Sequence, residues 1–200
     1  LAVAQTDVKR MLAFSSVSHA GFLLGGVEAA GHRAGESDAG EGLASVLIYL
    51  GLYSVLVVGT FAVVAVVARH AGGSTDVGSL AGLGQRRPLL ALALTVLLLA
   101  QAGVPLTSGF VAKWGVIQAA VAERNYAIAI IAMVSAVIAA FLYLRIMVSA
   151  WLADPSDADA EPVPVMSGLA IGLAVAVTLV IGVYPDLLLD LTDALGQYAR

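Results

Sequence analysis

Long apolar runs separated by short polar segments set the pattern of this chain. Runs rich in Leu, Val, Ala and Ile cover about 11–30, 44–68, 88–122, 126–152 and 166–189. Each is close to or beyond the roughly 20 residues a helix needs to cross a bilayer. None alternates apolar and polar positions as a barrel strand would, so internally bonded helices are the way to satisfy their backbone in lipid. The segments between them, "GHRAGESDAGEG", "RHAGGSTDVGSLAGLGQRRP", "ERN" and "DPSDADAEPVPV", consist largely of loop formers. The third run is too long for one straight span. Pro88 stands where a first helical turn tolerates proline, the helix runs to Ala102, and a second helix covers Gly109 to Ala122. The break "GVPLTSG" lies between them. The pattern predicts an all-α membrane protein: a single helical domain over 1–200 with about five transmembrane helices, the third discontinuous at Gly103–Gly109.

Composition agrees and narrows the chemistry. Of 200 residues, 60% are hydrophobic and 12% charged, against about 25% charged in a soluble domain. Mean hydropathy is +0.95. The net charge of −4 and the scattered basic residues give no nucleic-acid surface. Without cysteine the chain offers no disulfide, thiolate zinc site or iron–sulfur ligation, and His19, His32 and His70 are too widely spaced for a local metal or haem motif. No metal or cofactor is therefore expected on this chain. The opening "LAVAQTDVKR" lacks the pattern of a signal peptide and reads as a cut from a longer chain.

Alternating the connections across the membrane puts Lys9, Arg10, Arg69, Arg86, Arg87 and Arg145 on one side. Arg33, Arg124 and Arg200 fall on the other. The first side is cytoplasmic by the positive-inside rule. Five spans then place the N-terminus inside and the tail "DLLLDLTDALGQYAR" outside, lying along the surface. The acidic run Asp154, Asp157, Asp159 and Glu161 reads as a solvated loop, and Glu28 as a residue facing water.

Polar residues inside the apolar runs are the candidates for chemistry. Lys113 lies four residues after Gly109 and ten before Glu123. At such depth a lysine costs about 2.5–3.5 kcal/mol and needs a carboxylate, a hydrated cavity or a shifted pKa. Snorkelling would have to bridge about 15 Å of helix. Pro105 removes a donor, Gly103 and Gly109 accept unusual dihedrals, and Thr107 and Ser108 are placed to satisfy the freed backbone. A hydrated pocket beside a protonatable group is the expectation.

In the first span Ser15, Ser18, His19 and Phe22 share a face. His19 is either a proton relay or an interhelical hydrogen-bond group. Tyr49 and Tyr53 either border a proton path or simply pair with neighbours. Lys9 is expected at the headgroups, with Asp7 as an ion-pair partner.

These residues carry a resemblance. "AQTDVKRMLAFSSVSHAGFLL" and "AGVPLTSGFVAKW" carry it most specifically, with weaker support from "VLIYLGLYSVLVVGTFAVV", "SLAGLGQRRPLLALAL", "AFLYLRIMVSAWL" and "IGVYPDLLLDL". The chain resembles the antiporter-like membrane subunits of the proton-pumping NADH:quinone oxidoreductase, respiratory complex I, and most closely its subunit N. The resemblance implies the last five helices of a fourteen-helix antiporter-like fold. It also implies a multi-pass location in a bacterial inner or plasma membrane, with other complex I membrane subunits, lipid and protons as partners. NADH, FMN, iron–sulfur clusters and quinone would sit in partner subunits, so the translocase activity would belong to the complex and no redox step to this chain. Lys113 matches the lysine of the family's last broken helix, with a role in accepting and releasing protons, and His19 matches a position typical of subunit N. Phe14 and Phe22 stand where the family often has tyrosine, and Gln101 where it usually has a small or apolar residue. The D-type subunit of the multisubunit sodium/proton antiporters shares the broken helix and its lysine and is the alternative.

Overall fold

The computed structural model describes residues 1–32, 39–154 and 162–188. Helix α1 (Val8–His32) begins where the chain turns apolar. Asp7 precedes it and accepts a hydrogen bond from the Arg10 amide at 2.9 Å, an N-cap that occupies one orphan donor of the first turn. Its other oxygen accepts the Thr75 hydroxyl. The expected Asp7–Lys9 pair is therefore replaced by a tie between the start of α1 and the connection after the second helix, and Lys9 is exposed. The Thr75 bond, opposed by burial and aided by the Arg10 amide and the charges of Arg10 and Lys9, holds the Asp7 carboxyl below the usual carboxylate range.

Helix α2 (Ala39–His70) follows, then a connection containing a 3-10 turn (Val77–Leu80) and the short α3 (Leu83–Arg86). This connection is more than a polar linker, because Leu80 and Leu83 are buried. Helix α4 (Pro88–Ala102) and α5 (Ser108–Ala122) form the broken element, and α6 (Tyr126–Leu152) and α7 (Val165–Val183) complete the described fold. Among the described residues the only β feature is an isolated bridge between Asp7 and Asp76.

Three described helices are long and apolar enough to span a membrane: Val46–His70, Tyr126–Leu152 and Val165–Val183. The polar residues Ser15, Ser16, Ser18 and His19 lower the hydropathy of α1 relative to these, and Ser15, Ser16 and His19 make interior hydrogen bonds. Helices α4 and α5, 15 residues each, reach only about 22 Å apiece against a hydrocarbon core of about 30 Å. The acidic loop over 155–161, Arg33 and the tail over 189–200 lie outside the described residues.

Helix α2 is the hub, packing on α1, α4, α5 and α7, while α6 covers α4, α1 and α5. The larger core joins Met11 and Leu12 of α1, Val63 and Val64 of α2, Leu94, Leu97 and Leu98 of α4, and Leu142 and Ile146 of α6. A smaller core of Phe22, Tyr49, Leu52, Ala112, Val116 and Ile181 lies beside the broken helix. Large apolar residues such as Leu24, Ile131, Leu169 and Leu173 remain exposed, which suits lipid or neighbouring helices and not water.

Basic residues meet at one end, as the alternation of loops predicts. Arg145 donates to the Val3 and Gln5 carbonyls at 3.0 Å each, Ser149 donates to the Val77 carbonyl at 2.9 Å, and Arg86 donates to the Ala81 carbonyl at 2.8 Å. At the other end Glu28 does not simply face water. It is half-buried and accepts from Asn125 Nδ2 at 3.0 Å, joining α1 to the turn between α5 and α6.

Candidate functional site

The break begins with an ordinary helix stop. Gly103 takes φ of 89°, a left-handed conformation suited to glycine, and its amide reaches the Leu99 and Ala100 carbonyls at 3.1 and 2.9 Å. Val104 N also bonds to the Leu99 carbonyl at 3.1 Å. That leaves the Gln101 and Ala102 carbonyls at the negative end of the α4 dipole. Lys113 fills this need from across the break: its Nζ donates to the Gln101 carbonyl at 2.8 Å and the Ala102 carbonyl at 3.0 Å. The residue is 6% exposed. Phe22 presents its ring 5.3 Å from the ammonium, within cation–π range. Among the described residues no carboxylate reaches Nζ; the terminus of α4 and an aromatic face surround the amine where a hydrated pocket was expected.

The break residues set this geometry. Thr107 donates to the Val104 carbonyl at 2.6 Å, satisfying part of the freed backbone as expected. Ser108 and Gly109 are buried at the start of α5, while Pro105 is exposed on the turn. A Cβ at Gly109 would overlap the Ala100 carbonyl, so only glycine lets α5 approach the end of α4 this closely. Leu106 carries a positive φ of 68° in the turn. Gln101 turns its side chain the other way and donates to Thr60 Oγ1 at 2.6 Å, and Thr60 donates to the Leu56 carbonyl at 2.8 Å. The position where an apolar residue was expected thus ties the end of α4 to α2.

A second centre surrounds His19, which is 3% exposed. Its Nδ1 is 2.7 Å from the Tyr49 hydroxyl and its Nε2 3.1 Å from the Tyr143 hydroxyl. The Tyr143 hydroxyl also pairs with Ser15 Oγ. Tyr53 stacks on the imidazole, with centroids 4.2 Å apart and planes at 17°, and donates to Ser16 Oγ at 2.8 Å. Phe22 stands between the two centres, stacked on Tyr49 with centroids 6.0 Å apart.

Of the residues singled out from the sequence, Lys113, Gly103, Thr107, Ser108 and Gly109 are brought together at the break. Ser15, His19, Tyr49 and Tyr53 form the second centre. Ser18 belongs to neither; it lines a groove of about 410 Å³ between α1 and α6. Lys9 precedes His19 by ten residues, about 15 Å along α1, and lies apart from both. Tyr143 and Ser16 were not anticipated. The available signal for Tyr143 was a tyrosine hydroxyl in the body of an apolar helix, since membrane tyrosines concentrate at the interfaces. No group of three or more His, Asp or Glu residues among those described is placed to hold a metal.

The family described as NADH:quinone oxidoreductase/Mrp antiporter, TM, matches residues 1–139. The chain belongs to this family. Among its relatives, NADH-quinone oxidoreductase subunit N 3 of Streptomyces griseus is 44% identical over 203 residues, which cover 100% of this chain and 35% of that protein. The chain therefore spans about a third of the length of the curated relative it matches. Among solved structures, respiratory complex I from Thermus thermophilus with bound NADH superposes with a TM-score of 0.80 at 25% identity, covering 96% of this chain and 40% of that one. The Mrp complex from Dietzia sp. gives a TM-score of 0.80 at 24% identity, over 96% of this chain and 42% of that one, and shares the fold. Both solved complexes thus contain a chain with this arrangement of helices.

Proposed function

We propose that this chain is the C-terminal five-span part of an antiporter-like subunit of a proton-translocating NADH:quinone oxidoreductase, multi-pass in a bacterial plasma membrane. Lys113 accepts and releases the proton there, and His19 relays it. The single observation that carries this reading is the placement of Lys113. A buried amine bound to two carbonyls and an aromatic face, with no carboxylate among the described residues to neutralise it, holds its charge at a cost that a purely structural residue would not incur. In either protonation state the amine keeps donors for both carbonyls, so it changes charge without losing its seat. NADH, FMN, iron–sulfur clusters and quinone belong to partner subunits, and this chain's partners are neighbouring membrane subunits, lipid and protons.

The test uses the intact complex in vesicles, with proton uptake and quinone reduction measured together. Lys113→Ala removes both roles of the amine, while Lys113→Gln keeps N–H donors for the two carbonyls but cannot titrate. Both variants are expected to assemble and to lose coupled pumping. Full pumping by Lys113→Gln would reduce the lysine to a helix cap and overturn the reading.

A second reading, the D-type subunit of a sodium/proton antiporter, is supported by the family's Mrp branch and the shared fold. Sodium-dependent proton exchange without NADH would establish it in place of the first.

A further inference from the structure

Gln101 is the polar residue of α4 that the chemistry of the lysine leaves unexplained. It is buried near the end of an apolar helix, with Leu97, Leu98 and Ala100 buried just before it. A primary amide in such surroundings is costly unless it is hydrogen-bonded, and an apolar side chain would fill the space without that cost. The amide is spent on Thr60 of α2, also buried, at 2.6 Å. The next bond fixes the direction of this one. Thr60 Oγ1 donates its only proton to the Leu56 carbonyl at 2.8 Å, so toward Gln101 it can only accept, and the amide must present Nε2 and not Oε1.

Thr60 stands on a firm stretch of α2. A Cβ on its neighbour Gly59 would meet the Ala174 Cβ of α7 at 2.6 Å and Leu97 Cδ1 of α4 at 3.1 Å, so α2 is wedged between α7 and α4 at this level. Leu97 lies one turn before Gln101 on the same face of α4. The contact of Leu97 with Gly59 and the bond of Gln101 to Thr60 therefore secure two successive turns of α4 to one stretch of α2. The backbone of Gln101 serves a different helix. Its carbonyl would be bonded in a continuing helix by the residue four positions on, but that residue is Pro105, which has no N–H to give. The carbonyl accepts instead from Lys113 Nζ of α5 at 2.8 Å.

We propose that Gln101 is a positioning residue for Lys113: the bond from its amide to Thr60 keeps the Gln101 peptide turned so that its carbonyl stays aimed at the amine. The proposal rests on the proton role proposed for Lys113. The last turn of a helix frays readily, and Pro105 leaves this one without the amide that would steady the carbonyl. The tie to α2 supplies the constraint from the side. A shift of α2 against α4 would therefore turn the carbonyl and change the field in which the amine holds its proton.

Other titratable groups stand apart from this pair. Helices α4 and α7 carry no ionisable side chain, and Glu28 and Arg145 lie at opposite ends of the bundle. Besides Lys113, the buried ionisable residues among those described are His19, Tyr49 and Tyr143, whose side chains bond to one another and to Ser15. An effect of Gln101 or Thr60 on the pH dependence of uptake is thus read at Lys113.

The experiment measures proton uptake against pH by the intact complex in vesicles for Gln101→Leu, Thr60→Val, the double variant, Thr60→Ser and Lys113→Gln. Gln101→Leu removes the amide, and Thr60→Val keeps the shape of the side chain while removing its hydroxyl. Each is expected to slow uptake about fivefold, the equivalent of one ordinary hydrogen bond. The pH midpoint of uptake is expected to fall by about 0.7 pH unit, the same factor on a logarithmic scale, because a carbonyl that has swung away no longer favours the charged amine. The double variant should match the single ones, since all three lack the same bond, and Thr60→Ser should restore both readouts. Additive losses in the double variant, or slower uptake with the midpoint unmoved, would show that the two residues only pack and would overturn the proposal. If Lys113→Gln is impaired while both single variants match the unmodified complex, the positioning role is overturned and the role of Lys113 stands. Normal pumping by Lys113→Gln removes the underlying reading and this proposal with it. Should Gln101→Leu fail to assemble, Thr60→Val against Thr60→Ser decides on the same two readouts.

Discussion

Replacing Gly109 by alanine tests how tightly the two halves of the broken helix must meet. The added methyl would occupy the space of the Ala100 carbonyl, and a carbonyl one turn from a helix end cannot step aside as a flexible side chain can. Two responses are open. If the backbone at Ala100 and Gly109 gives way locally while α4 and α5 stay docked, the shift costs about 1–3 kcal/mol, as at other overpacked sites. If α5 retreats by about 1.5 Å instead, the Lys113 bonds to the Gln101 and Ala102 carbonyls, now 2.8 and 3.0 Å, stretch beyond the roughly 3.2 Å limit of a sound N–H···O bond. Bonds to a charged group contribute about 1.5–3 kcal/mol each. The cheaper route still costs about 2 kcal/mol, which shifts the population of closed junctions roughly 30-fold. Hydrogen exchange of the α5 amides after the break, read by mass spectrometry on the intact complex, reports that population, and proton uptake reports its consequence. Gly21→Ala serves as the comparison, because no atom lies within 4 Å of a Cβ there. Faster exchange and reduced uptake are expected for Gly109→Ala alone. Exchange and uptake equal to those of Gly21→Ala would refute the close junction and with it the seat of Lys113.

Two further outcomes are expected. Phe22→Leu removes the ring face that stands 5.3 Å from the Lys113 ammonium, so proton uptake by the intact complex should fall; uptake equal to that of the unmodified complex would show that the ring contributes nothing to the seat of the charge. Asp7 has a depressed folded-state pKa, so its contribution is present above the unfolded carboxylate value of about 3.9 and is lost as pH falls through the lower folded value. Acidification through that window should therefore release the Asp7–Thr75 tie, seen as exchange of the Val8 and Val77 amides that bond to Thr75 and Thr6. Asp7→Asn should remove that acid step, and an acid step of undiminished size in the variant would show another group to be responsible.

The broken helix was legible in the sequence because its punctuation is local. Pro88 at a helix start, Gly103 at a helix stop and Gly109 after the turn each act within one turn of chain, and Lys113 announces itself by its cost in an apolar run. The basic end was legible for a similar reason, since loop charge needs only the order of the spans. What the sequence withheld was partnership across helices. His19 meets Tyr49 and Tyr143 at separations of 30 and 124 residues, and a periodic pattern identifies the inward face of a helix without naming what it faces. Asp7 shows the same limit at short range. Its neighbour Lys9 was the obvious partner, yet the cap to Arg10 and the bond to Thr75 satisfy the carboxylate more completely. The backbone seat of Lys113 was equally unreadable, because a helix end leaves no residue type in the sequence to mark its charge.

The amine that bridges the break also has a mechanical meaning. Lys113 belongs to α5 but grips the last carbonyls of α4, so the joint between two rigid rods is fastened by the same atom that carries the charge. When that atom is protonated the fastening is charge-assisted, and when it is neutral the bonds persist in weaker form. Protonation of that one atom would therefore stiffen the joint. A force transmitted along either rod would be felt at the amine, and a proton gained or lost there would be felt along both rods.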